Sequence, residues 1–599
     1  MTRISASNLA KHELANRSAL GGALSISLLL AGGLLGLAAQ AMAAETFTHD
    51  GEKVTPYELT GDVRALPRPT QAPTSQPFRP LLQPPVPESK TALPVAPTPE
   101  VTEPGGPLVP MPGPLQNFAG MSRNDACTGG SCGAGTPPDT NGDVGRNHYI
   151  QAVNSSYAIY SKTGALLASF TENQLWSTAG APPCTGSSQG DPIVLYDALA
   201  DRWILTHFAF GFGGSPSRPV APFYQCIAAS KTGDPVAGGW WLYAVRMDTG
   251  AGGQPPIGAL NDYGKFGIWN DCLYMAANDF TFNAAGASSF AGVAFASFSR
   301  SDLYSGAPLT FALGFIAGTG IFTMIPSNLS GRAGFSLPPG TPNYFVSESQ
   351  TIFSWEVRKL TPGPNCGGGG VLSAKTDVSQ TTYVFSGGNI VPQPNTANTL
   401  DSLVDRLMQK VQYRNVSAAE SLWVVHNVQS AAGSTVRPQW AQINVTGGTI
   451  ALAPVQQQIY APDTTLNRWM GSLAADSSGN MALGYSTSNG SVPNFPSIAY
   501  SGRLVGDPLN TLPQTEVQLV AGGGSQTHLC GGAICRRWGD YSAMSVDPVD
   551  DCTFWYTSEY YSSQPNGDIG NWQTRIGSFK FPACKPFAKN ISPIYFLLD

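Results

Sequence analysis

The chain has 599 residues, of which only 12% are charged, and its 33 Lys and Arg against 39 Asp and Glu leave a net charge of −6. No basic footprint exists for an anionic duplex, so nucleic acid is excluded as a partner class. The length admits a large core and several domains, and the order of segments decides between them.

Arg3, Lys11 and Arg17 precede an apolar run from Leu20 to Ala39, and Ala41-Met42-Ala43 supplies a small-residue cleavage pattern. Residues 1–43 are therefore expected to be a secretory signal, with a mature chain that begins near Ala44 and is secreted to the periplasm or outside the cell. No later stretch is apolar for long enough to span a bilayer, so no membrane span is expected after cleavage. All ten cysteines follow the signal, and in an oxidising compartment an even number makes disulfides the default. Cys127 with Cys132 and Cys530 with Cys535 enclose short Gly-containing loops, and Cys552 with Cys584 would lock the end of the chain; Cys184, Cys226, Cys272 and Cys366 have no pairing that sequence fixes. Zinc on the two C-x4-C pairs is disfavoured because His528 is the single imidazole near either.

Residues 44–116 are rich in proline, most densely from Pro67 to Pro114, a composition that favours extended conformations over a packed core. This stretch is expected to be a largely disordered spacer. From residue 117 the pattern changes to short strands of Val, Ile, Tyr, Phe and Trp punctuated by Gly, Pro, Asn and Asp. A hairpin recurs whose second strand reads HYIQAVN (His148 to Asn154), RWILTH (Arg202 to His207), CLYMAAN (Cys272 to Asn278), NYFVSE (Asn343 to Glu348), SLWVVHN (Ser421 to Asn427), NMALGYS (Asn480 to Ser486) and TFWYTSE (Thr553 to Glu559). The copies are spaced by about 68 residues, longer than compact propeller repeats of ~40–50 but compatible with inserted loops. An all-β, seven-bladed β-propeller over residues 117–584 is the predicted fold, with a C-terminal tail at 585–599; a pair of β-sandwich domains is the competing architecture. Helical periodicity is nearly absent, and Thr399 to Gln412 is its nearest candidate.

If these hairpins are the two innermost strands of each blade, the residues flanking them converge near one axis. Before them stand Asp139 and Asp143, Asp191, Asp262, Arg406, Arg468 with Trp469, and Asp540; after them stand Asn154, His207, Asn278, Glu348, His426, Ser486 and Glu559. Ionisable groups recurring at equivalent places suggest a polar pocket, although Asp and Asn at strand ends also cap turns. The turns at the far ends, such as Asp197 to Asp201 and Asp547 to Asp551, are structural on the same logic. Asp139-Thr140-Asn141-Gly142-Asp143 resembles the start of a calcium loop, which makes Asp139, Asn141 and Asp143 candidate ligands of a calcium ion; Val144 stands where that loop needs Gly, and Ile150 where it needs Glu. The G-x-S-x-G patterns at Gly129 to Gly133 and Gly186 to Gly190 lie in loops with no helix to follow, so a serine nucleophile is not indicated.

With these residues in view, the chain resembles a group of secreted bacterial proteins that share PPDTNGDVG (Pro137 to Gly145), GDPIVLYDALADRW (Gly190 to Trp203), DYxKxGxW (Asp262 to Trp269), RWMGS (Arg468 to Ser472) and RWGDYSxMSVDPVDDCTFWYT (Arg537 to Thr557). It is more loosely similar to sialidase-like propellers. The sialidase Arg triad with its Tyr/Glu pair does not map onto this sequence, and S-x-D-x-G-x-x-W repeats are absent, so that resemblance implies fold more than activity.

The functional expectation is a secreted, monomeric, carbohydrate-active enzyme acting on a polysaccharide or glycoconjugate, as a glycoside hydrolase or a polysaccharide lyase. Two carboxylates across an axial pocket, one protonated and one ionised, suit acid/base cleavage of a glycosidic bond. Asp191, Asp262 and Asp540 are the candidate bases, Glu559 or Glu348 the acid, and His207 or His426 the base if lyase chemistry applies. Arg406 and Arg468 are placed to hold an anionic sugar, Trp469 and Trp538 to stack on sugar rings, and His426 and Asn278 to bind substrate. The alternative is a non-catalytic glycan-binding or adhesion propeller.

Overall fold

The computed structural model describes residues 45–46, 53–67, 82, 90–93, 109–128, 137–332, 337–384, 388–404, 406–530, 533–563 and 571–586. The expected signal at 1–43, Cys132 of the expected Cys127–Cys132 pair and most of the tail lie outside them. The described residues build antiparallel sheets laid down one after another along the chain. The first comprises Asn141–Val144, His148–Val153, Ser156–Ser161 and Leu166–Thr171. The second comprises Ser188–Asp197, Arg202–Gly213, Arg218–Ser230 and Trp240–Arg246, and the third Leu260–Ile268, Cys272–Phe282, Ser288–Ser299 and Phe311–Ala317. The fourth is led by Ile321–Leu329, Asn343–Ser349 and Ser354–Thr361, and the fifth by Val411–Val416, Ala419–Gln429, Val436–Asn444 and Gln456–Ile459. These two join through a short parallel pairing of Ser327–Leu329 with Val411–Tyr413. The sixth comprises Asn467–Ala475, Met481–Ser488, Ser497–Arg503 and Val517–Val520. The last takes Ala543–Val546, Thr553–Tyr561 and Trp572–Lys580 from the end of the chain, and its outer strand, Gln116–Ser122, from the beginning. The fold is an all-β propeller, and this shared sheet ties its two ends together so that neither leaves a long open edge.

Alternation along each strand sends apolar side chains to both faces, and the faces of successive sheets pack on one another. Between the first and second lie Ile150, Tyr157, Trp203 and Leu205; between the sixth and seventh, Tyr500 stacks on Phe579 at 3.9 Å. Glycine is required where two sheets come closest. A Cβ on Gly484 would lie about 2.4 Å from the Tyr556 ring, so this second-strand position of the sixth sheet admits no side chain.

Three disulfides close loops among the described residues: Cys184–Cys226, Cys272–Cys366 and Cys552–Cys584. The last is the pairing expected from sequence, and it fastens the final sheet. Cys535 is also disulfide-bonded. Such bonds fit a protein that folds in an oxidising compartment, and no helix among the described residues is long and apolar enough to cross a membrane. Cys272–Cys366 spans 94 residues and ties the third sheet to the segment after the fourth. Replacing both cysteines by Ser is expected to cost roughly 4–5 kcal/mol by loop-closure entropy, read as a lower Tm in calorimetry; an unchanged Tm would show that the loop is pinned without the bond.

Two stretches differ from the reading of the sequence. Residues 399–412 form no helix, because the strand pairing at Leu400–Asp401 and the entry to the fifth sheet occupy them. Parts of the proline-rich segment are built into the propeller. Tyr57–Leu59 adds a strand to the second sheet, Val63 and Leu66 are buried against the first two sheets, and Lys90 and Thr91 pack beside the fourth. Proline content speaks to local stiffness, whereas these contacts depend on apolar and charged side chains scattered between the prolines.

Candidate functional site

At the start of several innermost strands one residue adopts the left-handed backbone region: Asp139 (φ 47°), Asp191 (52°), Tyr263 (57°), Thr323 (48°) and Met470 (53°). Pairing with the second strand slips at this point, between Asp262 and Lys265, Phe322 and Ile325, and Trp469 and Ser472. Such a bulge re-aims the side chains on either side of it. For Tyr, Met and β-branched Thr the conformation costs about 1–3 kcal/mol, so something must hold it.

A polar side chain of the preceding sheet does so by taking the backbone N–H. Asp191 N–H donates to Asn154 Oδ1 (3.0 Å), Tyr263 N–H to Asp191 Oδ2 (3.2 Å), and Thr323 N–H to Asn278 Oδ1 (2.8 Å). At the junction of the last sheet with the first the bond runs the other way, Asp540 N–H donating to Asp139 Oδ1 (2.9 Å). Much of the polar ring read from sequence is thus a set of splints between neighbouring sheets, and Asn278 belongs to it.

The same geometry gathers Asp139, Asp191, Asp262, Asp540 and Glu559 at one centre with Arg406, Lys265 and Arg537. Asn154 Nδ2 donates to Asp139 Oδ2 (2.8 Å), Gly539 N–H donates to Glu559 Oε2 (3.0 Å), and Arg537 forms an ion pair with Asp540. Tyr263 reaches across the centre, its hydroxyl donating to the Leu407 carbonyl at 3.1 Å. Arg406 lies over the rings of Tyr263 (5.1 Å) and Phe322 (5.0 Å). Lys265, fully buried, sits 3.4 Å from the Tyr263 ring and 4.1 Å from that of Tyr541, and donates to the Tyr263 and Gly264 carbonyls. One step deeper, Lys410 faces Asp143 at 3.6 Å and donates to Ser545 Oγ at 3.1 Å.

Burial and mutual repulsion set the protonation of this group. Desolvation, then the charges of Asp540 and Asp191, push Asp139 well above the usual carboxylate range. Glu559 is raised well above its ordinary value by desolvation and by Asp139. Asp262 is pushed up to about 7, by desolvation first and Asp191 next, against the lowering effect of Arg406. Desolvation draws Lys265 down to about 8, opposed by the four aspartates. Within this group Asp191 and Asp262 are half-buried, whereas Asp139, Asp540 and Glu559 are buried.

The other candidates go elsewhere. Glu348 and His426 pair with each other in a buried network, where Tyr383 Oη donates to Glu348 Oε2 (3.1 Å), Gln380 Nε2 to Glu348 Oε1 (3.2 Å), and Gln439 Oε1 lies 2.7 Å from His426 Nε2. His426 and Lys90 hold Glu348 down at about 2 in spite of its burial. His207 is buried edge-on to Trp176 at 5.7 Å, and desolvation lowers its imidazole to about 3, too weak a base for proton abstraction near neutrality. Arg468 is held by Glu516 (2.8 Å) and Asp463 (2.7 Å) at the outer part of the sixth sheet. Trp469 and Trp538 are buried against each other, with ring centroids 5.6 Å apart, so a sugar ring cannot reach either indole and the expected stacking is not available there. The oxygens expected to bind calcium serve as acceptors instead: Asn141 Oδ1 takes Val194 N–H (2.8 Å) and Asp143 Oδ2 takes Tyr196 N–H (3.0 Å). No group of three or more His, Cys, Asp or Glu among the described residues is placed to hold a metal ion.

Lys265 and Arg537 were missed by sequence reasoning. The signal for Lys265 was a charged residue inside the apolar run Tyr263 to Ile268, at the position where a bulge turns it to the centre.

No family model matches the chain, and no curated protein matches it. Among solved structures it is similar to extracellular domains 1–2 of Drosophila Semaphorin 1b (8% identity, 79% of this chain and 88% of that one, TM-score 0.31). It is also similar to a protein of unknown function from Dyadobacter fermentans (10%, 65% and 94%, 0.31) and to a mutant Trypanosoma rangeli sialidase displaying trans-sialidase activity (9%, 70% and 60%, 0.27). Likenesses this weak carry no argument about activity.

Proposed function

We propose that the protein is a secreted carbohydrate-active propeller that cleaves a glycosidic bond in a polysaccharide by acid/base chemistry at the central carboxylates. The observation that carries this reading is the division of labour within the cluster. Asp191 and Asp262 are both half-buried at one centre, and burial, then the charge of Asp191, helps keep a proton on Asp262 to about pH 7, so that one is ionised where the other is protonated. Carboxylates with contrasting environments at one centre supply an acid and a base together.

In this reading Asp262 gives its proton to the bridging oxygen as the bond from that oxygen to the anomeric carbon breaks. Asp191 takes the proton of the water whose oxygen bonds to that carbon. Arg406, stacked on Tyr263 beside Asp262, holds a hydroxyl or uronate oxygen of the substrate. Buried Lys265 limits the repulsion among the aspartates that surround it.

The test is incubation with a panel of polysaccharides, reading reducing ends and unsaturated uronates. General acid/base groups contribute about 10²–10⁴ in rate, so Asp262→Asn and Asp191→Asn are each expected to lower kcat by at least about 100-fold. Full activity in both variants would remove the assignment, and tight glycan binding with no cleavage by the wild type would make the protein a lectin.

A further inference from the structure

One residue of the proline-rich segment packs beside the central cluster and bonds to its arginine. Leu82, from the proline-rich segment, is buried among Phe208, Phe210, Phe223, Phe280 and Phe322. Its carbonyl accepts a hydrogen bond from Arg406 Nη2 at 3.2 Å, and that guanidinium is the one that lies over Tyr263 and lowers Asp262. The phenylalanines rise from the ends of strands in the second and third sheets and the start of the fourth, on the side where Asp191 and Asp262 begin their strands. Phe208 stacks on Phe210 at 5.4 Å, forming a wall beside the carboxylates.

The segment is fixed on both sides of Leu82. Upstream, the Pro67 carbonyl accepts from Gln174 Nε2 at 2.8 Å on the first sheet's helix, Glu172–Thr178. Downstream, the Lys90 ammonium donates to Tyr383 Oη at 2.6 Å and stands 3.7 Å from Glu348. Thr91 bridges the fourth sheet's loop, donating to the Thr351 carbonyl (2.9 Å) and accepting from Phe353 N–H (3.0 Å).

None of this is needed to complete the sheets, which pair without Leu82 or Lys90. Were Leu82 to leave, an aromatic wall would be opened next to a ring of ionisable groups, the kind of surface that marks an interaction site. A leucine side chain in an apolar recess and a peptide carbonyl on a guanidinium is also how a protein grips an extended peptide.

We propose that the proline-rich arm is an intramolecular inhibitor, with Leu82 occupying the mouth of the central site and Lys90 acting as the latch that holds it there. Any external ligand that needs Arg406 and the phenylalanine wall competes with the arm at an effective concentration set by the tether. The proposal rests on reading the central cluster as a ligand site, and it needs no glycosidic chemistry. Removal or displacement of the arm is then the activating event.

The experiment measures binding of a fluorescent synthetic peptide covering residues 79–93 to the full-length protein. The full-length Leu82→Asp/Lys90→Met variant, whose own arm is displaced, is expected to bind the peptide at least tenfold more tightly than the wild type, whose site is filled. A peptide carrying Leu82→Asp is expected not to bind. As a second route that leaves both residues intact, a specific protease site inserted between residues 97 and 104 and then cut should let the labelled peptide exchange into the site. Equal binding by the wild type and the released variant, or no uptake by either the released or the cut protein while both keep the wild-type circular dichroism, overturns the proposal. Peptide binding reports on the arm alone, and polysaccharide cleavage by the released variant, with and without Asp262→Asn or Asp191→Asn, reports on the chemistry, so the two readings fail separately.

Discussion

Arg414→Met is expected to destabilise the propeller by about 3–5 kcal/mol, because it strips the partner from a buried carboxylate. Arg414 leads into the fifth sheet and meets Asp551, in the first hairpin turn of the seventh, through two parallel bonds: Nη1 to Oδ1 at 2.9 Å and Nη2 to Oδ2 at 3.0 Å. Both side chains are nearly inaccessible, at 2% and 1% exposure. The guanidinium also donates to the Ser330 carbonyl at 3.1 Å, so one side chain fastens segments of three sheets at the end away from the central aspartates. Burial raises the Asp551 carboxyl and Arg414 lowers it again. Without Arg414 the protein must bury an unpaired charge or protonate Asp551. A double-mutant cycle in chemical denaturation measures the effect: Arg414→Met with Asp551→Leu should recover much of what either single change loses, and simple addition of the two losses would show that the pair does not hold the sheets together.

The contrast between this pair and the central aspartates explains which parts of the molecule the sequence made legible. Asp139, Asp191, Asp262 and Asp540 precede copies of one hairpin, and a hairpin repeated in successive sheets brings its flanks to equivalent places, so their convergence was readable. Asp551 looked like a turn residue, and it is one; its ion pair with Arg414 depends on sheet-to-sheet packing that no local pattern encodes. Asn154 and Asn278 sit at strand ends where sequence suggests a pocket, yet their side chains are spent on the N–H of the next sheet's bulge. That use follows from the left-handed residues Asp191 and Thr323, and backbone conformation at a non-glycine is not visible in composition. Trp469 and Trp538 occupy positions flanking the hairpins, but Trp469 lies at the slip that runs to Ser472 and packs against Trp538, so both indoles are buried in the core. Leu82 and Lys90 were hidden by their surroundings, since a proline-rich segment looks unstructured until the surface that receives it is known.

Asp262→Asn is expected to make the protein more stable at pH 8, the opposite of what the loss of a splint would do. The folded protein keeps the Asp262 proton up to about pH 7, whereas the unfolded chain releases it near the ordinary aspartate value of 3.8. Folding therefore takes up a proton between those two values, and the stability contributed by this site falls as pH rises through that window. Above it the carboxylate stays ionised among Asp191 and Asp540, at a cost that Arg406 only partly offsets. A neutral amide of the same shape carries no such cost. Allowing for the half-exposed position of Asp262, the gain should be about 1–3 kcal/mol at pH 8, and it should disappear by about pH 4, where the native acid is neutral as well. Thermal melts of wild type and variant across pH 4–8 read this directly. A carboxylate whose removal stabilises the fold fits the trade-off between stability and activity that marks working sites. An Asp262→Asn protein that melts lower than the wild type at pH 8 would instead make Asp262 a structural acceptor like Asp139, which takes the Asp540 N–H, and would move the acid of the proposed reaction away from this position.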